Sequence, residues 1–232
     1  MSTVFRWTLE EYEALAEVSQ QVFDWRHPRH IELIYGYLEE NGEPAKLSLD
    51  EYLRMVETGI FSRWGKKRVE LINGEIREMS PIGNPHEEVL TDLTEWSYRK
   101  AGRGVKIRVQ CSVRLSPSQS APEPDLVWAI RRQYLREKPG PDDILLVVEI
   151  ADSSLALDTG EKALLYAEAG IRDYWVVNLR DRNIEVRRDP GPDGFQSLAV
   201  LSGNDELRPL ACPDALLVPA TLWAPIPEVG ED

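Results

Sequence analysis

Cysteine is almost missing: the chain has 2 in 232 residues, Cys111 and Cys212. Two thiols so far apart make neither a disulfide framework nor a CxxC metal clip. Long apolar runs are missing too. The longest, such as Ile144–Val148, falls far short of the roughly 20 residues a membrane-spanning helix needs. The N-terminal stretch MSTVFRWTLEEYEAL has no apolar signal core. A cytoplasmic protein with reduced thiols and no membrane association is expected. The sequence has no GxxxxGK(S/T), no strand–GxGxxG–helix, no HExxH and no GxSxG. Nucleotide hydrolysis, dinucleotide redox chemistry, zinc proteolysis and serine hydrolysis therefore lose their usual signatures, and no small-molecule cofactor is expected.

What is present is ordinary for a globular chain: 42% apolar and 29% charged residues, enough for one sizeable domain with a short extension. The formal net charge is −13, which at face value disfavours a polyanionic partner. Its distribution changes that picture. Residues 1–60 hold 5 Lys/Arg against 12 Asp/Glu, and residues 201–232 hold 1 against 6. The middle is nearly balanced, and its basic residues cluster: Arg63, Lys66, Lys67, Arg68; Arg99, Lys100, Arg103, Lys106, Arg108; Arg131, Arg132, Arg136, Lys138. Such clusters are either solvated surfaces or nucleic-acid contacts.

Along the chain, Ser48–Glu57 reads as a helix with a capping box, Ser48 to Glu51, and with Leu49, Leu53 and Val56 on one face. Arg68–Met79 reads as a hairpin turning at Asn73-Gly74, because a type I′ turn needs positive φ at both central residues. His86–Ala101 is a core helix ended by Gly102. In Lys106–Leu115, Ile107, Val109, Cys111, Val113 and Leu115 alternate on one face of a strand. Asp125–Ala129 and Ile144–Ile150 are apolar enough for buried central strands. A second core helix covers Asp158–Ala169, and strands follow at 173–178, 183–188 and 195–201. This order implies an α/β (α+β) domain with a mixed sheet.

The start of the chain echoes a later segment. Thr8-Leu9-Glu10-Glu11-Tyr12 parallels Ser48-Leu49-Asp50-Glu51-Tyr52, and His30–Glu40 parallels Arg68–Glu78. Residues 1–45 are therefore read as an accessory extension, a partial duplication of a helix–hairpin unit, with the main domain at 46–232. If the basic clusters contact nucleic acid, removing that acidic extension is expected to tighten such binding at low salt, unless it packs as an integral part of the domain.

Glu149 stands out because it lies inside Leu145–Ala151, a run suited to burial on both faces. A buried carboxylate needs a cation, a proton or a task, unless it reaches solvent or an Arg at the strand end. Asp125 follows Pro124 and opens another such strand. It is either a strand-start cap or, with Glu149, half of a divalent-ion site. Lys162 lies on the next helix, one turn from Asp158, as an exposed helix pair or a residue of the packed side with Tyr166. His86 and Glu70 are further candidates, each with a structural alternative: a first-turn hydrogen bond and a strand salt bridge.

These residues, taken in order, are Arg68–Ile76, Met79-Ser80-Pro81, His86, Pro124-Asp125, Val148-Glu149-Ile150, Asp158, Lys162, Tyr166-Ala167, Ala169-Gly170-Ile171 and Tyr174–Val177. The pattern resembles a large bacterial family described as "putative restriction endonucleases", long filed as a domain of unknown function, within the PD-(D/E)XK nuclease-like superfamily. The resemblance spans about residues 46–225. It implies a restriction-endonuclease-like core, a mixed sheet flanked by helices. It also implies a Mg²⁺-dependent DNA endonuclease (Mn²⁺ as an alternative metal), with Asp125 and Glu149 as metal ligands. Glu149-Ile150-Ala151 lacks the superfamily's lysine two positions on, so the resemblance moves that role to Lys162, while Glu70 or His86 would complete the site. The competing reading is an inactive nuclease-fold module that binds protein or nucleic acid. A two-carboxylate glycosidase is a weaker third, because it leaves Lys162 without a role. Homodimers are expected, to cover the 195–201 sheet edge and Trp223.

Overall fold

The computed structural model describes residues 3–23, 29–34, 36–62 and 68–223. Arg63, Lys66 and Lys67 of the first basic cluster lie outside them. The chain divides into two compact units: Met1–Pro81 with Ser112–Glu123, and Ile82–Cys111 with Pro124–Asp232. No helix among the described residues is long and apolar enough to cross a membrane.

The first unit is built twice over. One copy runs through β1 (Thr3–Val4), α1 (Leu9–Val22), β2 (Ile31–Ile34) and β3 (Tyr37–Glu40). The other runs through β4 (Glu43–Pro44), α2 (Leu49–Glu57), β5 (Val69–Ile72) and β6 (Glu75–Glu78). Each helix starts with a full capping box, Thr8 with Glu11 and Ser48 with Glu51, which satisfies amide groups that the first turn leaves without partners. Each hairpin turns on a positive-φ glycine, Gly36 (φ 90°) and Gly74 (φ 78°). The residue before each cap donates to that glycine: Trp7 N to Gly36 O at 2.7 Å, Leu47 N to Gly74 O at 2.8 Å. A Cβ at Gly74 would come within 3.1 Å of the Leu47 carbonyl, so the approach requires glycine.

The two copies also exchange arms. Phe5 N donates to Ile76 O at 2.8 Å, extending the β1–β6 pairing, while Ala45 N donates to Leu38 O at 2.9 Å beside the β4–β3 pairing. These are equivalent bonds in the sequence repeat, each made to the other copy's hairpin. One apolar core joins Phe5, Trp7, Leu15, Val18 and Val22 to Leu47, Tyr52, Met55, Leu71 and Ile76. Residues 1–45 are thus packed into the unit that holds the second copy, and removing them opens its core as well as removing charge.

The second unit contains α3 (Asn84–Lys100), β7 (Val105–Val109), β8 (Leu126–Ile130), β9 (Ile144–Ala151), α4 (Leu155–Thr159), α5 (Glu161–Glu168), β10 (Asp173–Asn178), β11 (Asn183–Gly191) and β12 (Gly194–Ser202). The six strands form one sheet in the order β12-β11-β10-β9-β8-β7. Only β9–β10 is parallel, and α4 and α5 make the crossover between them. The mixed sheet agrees with the sequence reading. On one face Leu126, Trp128, Leu146, Val148, Ile150 and Trp175 pack with Val89, Leu90 and Leu93 of α3. At Ser97, α3 also accepts the Trp128 indole N–H at 2.8 Å. Asp173 is fully buried and accepts from the Trp175 indole, the Leu210 amide and Arg188. Burial pushes this carboxyl up despite those donors.

Several elements differ from expectation. In α2 the buried face is Leu49, Tyr52 and Met55, whereas Val56 is exposed. The strand begun at Lys106 ends at Val109 because Gln110 takes φ 47°. Residues 112–123 then belong to the first unit, where Ala121 bridges Leu71. The single helix expected at 158–169 is two, α4 and α5, parted at Gly160. A Cβ there would sit 2.7 Å from Ala156 O. The strand expected at 183–188 runs on through Pro190 to Gly191, where it still pairs with Gly194 of β12.

Candidate active site

Four of the five sequence candidates, Asp125, Glu149, Lys162 and His86, belong to the second unit, and all four are buried. Leu126 pairs with Val148 in the β8–β9 ladder. Extending that register by one residue sets Asp125 opposite Glu149. Glu149 alternates with Val148 and Ile150 of the α3 core, so it points to the sheet's other face.

On that face α5 supplies two donors one turn apart. Lys162 Nζ lies 3.1 Å and Tyr166 OH 2.9 Å from Glu149 Oε1. The Lys162 and Glu149 side chains are each only 4% exposed. The exposed Asp158–Lys162 helix pair considered above is therefore excluded. Gly160 puts the two residues on different helices, and Asp158 accepts from Ser154 Oγ at 2.5 Å. Tyr166 was expected only as a packing residue, and its spacing of four from Lys162 is the signal that places both over one strand residue.

Asp125 is held at the sheet's end. Its Oδ2 accepts the Ile150 backbone N–H at 2.8 Å and lies 3.1 Å from His86 Nε2 in the first turn of α3. This assigns the Nε2–H form to the imidazole contact. The buried His86 Nδ1 has no hydrogen-bond partner in the structure. Behind the carboxylates, Tyr174 donates to Asp158 O at 2.8 Å. Burial first, then the charges of Asp158, Glu149 and Asp125, hold its phenol well above the usual range, so it stays protonated.

Glu70 lies in the first unit, on β5, 1% exposed and in register with Arg77 across the hairpin. Its Oε2 accepts the Glu123 amide at 3.3 Å. Arg68, two residues before it, pairs with Glu123 at 2.7 Å.

The donor set can be tested against the implied metal. No group of three or more His, Cys, Asp and Glu side chains placed to hold a metal ion occurs among the described residues. Zinc usually takes three or four protein ligands. Magnesium is commonly held by one or two carboxylates, with water and substrate phosphate completing its shell. Two facing carboxylates fit the second pattern.

Comparison with known proteins supports the architecture. No curated protein matches the chain. A solved structure from Anabaena variabilis, described as "a putative nuclease belonging to DUF820", matches at a TM-score of 0.58 and 17% identity. The match covers 76% of this chain and 97% of that one. At this identity the likeness concerns the fold, a nuclease-like mixed sheet with flanking helices. Residues 49–221 match the Uma2 family, described as "Putative restriction endonuclease". That span is well over half of the chain and contains Asp125, Glu149, Lys162 and His86, so the protein belongs to the Uma2 family.

Proposed function

We propose that the chain is a Mg²⁺-dependent endonuclease that hydrolyses DNA phosphodiester bonds at Asp125, Glu149 and Lys162. The observation that carries this reading is the buried array on one sheet face: Asp125 in register beside Glu149, with the Lys162 ammonium 3.1 Å from the latter. Family membership supports the reaction class. Bound to Asp125 and Glu149, magnesium would polarise the phosphodiester and lower the pKa of a coordinated water.

The chain's own residues do the remainder. The Ile150 amide and His86 fix the Asp125 carboxylate, and Lys162 and Tyr166 fix Glu149. Both ligands are thereby preorganised, which removes a reorganisation cost from the reaction. Lys162 places a positive charge where negative charge develops on the phosphoryl oxygens, or orients the attacking water. His86 is a positioning residue acting through Asp125.

Cleavage of plasmid DNA should require Mg²⁺ or Mn²⁺ and stop with EDTA. Cleavage that persists in EDTA would sink the metal mechanism. A second reading rests on a specific observation: Glu149 Oε1 already has two donors, as in an inert structural ion pair. In that case purified protein cleaves no DNA with either metal and the fold serves as a binding module.

Residues 1–45 are read as an addition to the family domain, a second copy of its helix and hairpin, supported by the family match beginning at residue 49. We also read the chain as a homodimer, since β12 lies at the sheet edge and exposes Leu198 and Val200. Light scattering at micromolar concentration should give twice the chain mass, and a monomer would count against it.

A further inference from the structure

Three cations of the second unit surround one ring. Lys106 Nζ lies 5.6 Å, the Arg108 guanidinium 5.4 Å and the Arg132 guanidinium 4.6 Å from the centre of Tyr134. Like charges gathered this closely repel. The electron-rich ring face offsets part of that repulsion, and Tyr134 is anchored by its OH donating to Ile130 O at 2.8 Å. Arg132 has a carboxylate partner, Asp143, at 2.6 Å. Among the described residues no carboxylate pairs with Lys106 or Arg108, and the buried Arg108 Nε has no hydrogen-bond partner. Arg131 and Arg103 flank the group, joined by an Arg131 Nε bond to Arg103 O at 2.6 Å.

A solvated surface would disperse such charges rather than collect them around a phenol. Their placement matters as well. On β7, Ile107 and Val109 pack towards the α3 core, so the alternating Lys106 and Arg108 point to the opposite face, the one that carries Glu149. Arg108 is in register with Val127, two residues along β8 from Asp125. Diagonal neighbours on one face of an antiparallel pair lie about 7–8 Å apart. The cluster therefore begins about one phosphate-to-phosphate step from the carboxylates, with Lys106 and Arg108 on the sheet's edge strand β7.

We propose that Lys106, Arg108 and Arg132, gathered around Tyr134, form a phosphate-binding ledge that holds the DNA backbone beside the Asp125–Glu149 pair. This rests on the nuclease reading above and adds to it where the substrate strand lies. Lys106 and Arg108 supply charge that no carboxylate among the described residues neutralises, and Tyr134 is a positioning residue that keeps the cations together.

The test is fluorescence anisotropy of the full-length chain with a short labelled DNA duplex of arbitrary sequence. EDTA is present, so binding is read without cleavage, across a salt series. Each phosphate contact contributes about −0.9 to the slope of log affinity against log salt. Lys106→Gln with Arg108→Gln should make that slope shallower by about 1.8 and weaken low-salt binding by about tenfold or more. Arg180→Gln, which removes a cation already paired with Asp152 on an exposed surface, should leave the slope within about 0.5 of wild type. Tyr134→Phe should keep most of the binding, because the ring remains although its hydroxyl bond to Ile130 O is lost. Tyr134→Leu should bind more weakly, and melting curves would confirm that both variants fold. If wild type binds DNA and the double variant keeps the wild-type slope, the ledge is wrong while the nuclease reading stands. If wild type neither binds DNA nor cleaves it with Mg²⁺, the nuclease reading fails and the ledge fails with it.

Discussion

Glu149→Gln is expected to lower Mg²⁺-dependent DNA cleavage by at least about a hundredfold while the protein still folds. The substitution keeps an oxygen that can accept from Lys162 Nζ and Tyr166 OH, now 3.1 and 2.9 Å from the carboxylate. It removes the negative charge that a divalent ion requires. Glu149→Ala is a different experiment. It removes the carboxylate 3.1 Å from the Lys162 ammonium, 4% exposed, and breaking a buried pair costs about 3–5 kcal/mol. Loss of activity in the alanine variant could then be loss of structure. Adding Lys162→Met to Glu149→Ala removes both charges, and should recover much of that stability without recovering cleavage. Urea melts and plasmid cleavage on the same preparations separate the effects. Near-wild-type cleavage by the glutamine variant would remove Glu149 from the mechanism.

Deleting residues 1–45 is expected to unfold the first unit. The deletion takes Phe5, Trp7, Leu15, Val18 and Val22 out of a shared core. Losing one large buried side chain typically costs about 2–5 kcal/mol, and the total exceeds what a small unit can lose. It also strips β1 from β6, and with it the Phe5 N–H bond to Ile76 O. Limited proteolysis followed by mass spectrometry should show new cuts within 46–81 and 112–123, with 124–223 still protected. A truncated chain that resists protease throughout would show the extension to be a mere appendage. It would also restore the simpler expectation that losing its acidity tightens DNA binding.

What could be read from the sequence depended on how local each signal is. The Asn73-Gly74 turn and the two capping boxes are set by a few adjacent residues, and they form where those residues stand. Glu149 was conspicuous because a carboxylate in an apolar strand has few innocent explanations. Lys162 was ambiguous because helix spacing alone pairs it with Asp158. The helix is interrupted at Gly160, where any side chain would sit 2.7 Å from Ala156 O, and the burial of both residues is not visible in the residue pattern. Likewise 106–115 has a clean alternation, yet Gln110 turns the chain with a positive φ and sends 112–123 into the other unit. Tertiary packing outweighs strand propensity there. The cation cluster was visible only as two separate basic stretches, 99–108 and 131–138. Tyr134, which gathers them, carries no signal of its own in the sequence.

The exchanged arms of the first unit make it a swapped dimer carried on one polypeptide. Each lead-in closes the hairpin of the other copy through equivalent bonds, Phe5 to Ile76 and Ala45 to Leu38. A chain with one copy could close the same edge only by lending its lead-in to a second molecule, at an entropic cost set by concentration. Joining the copies in tandem turns that encounter into an intramolecular one, at the high effective concentration a short connection provides. This unit's closure is therefore independent of how dilute the protein becomes, whatever the oligomeric state of the whole.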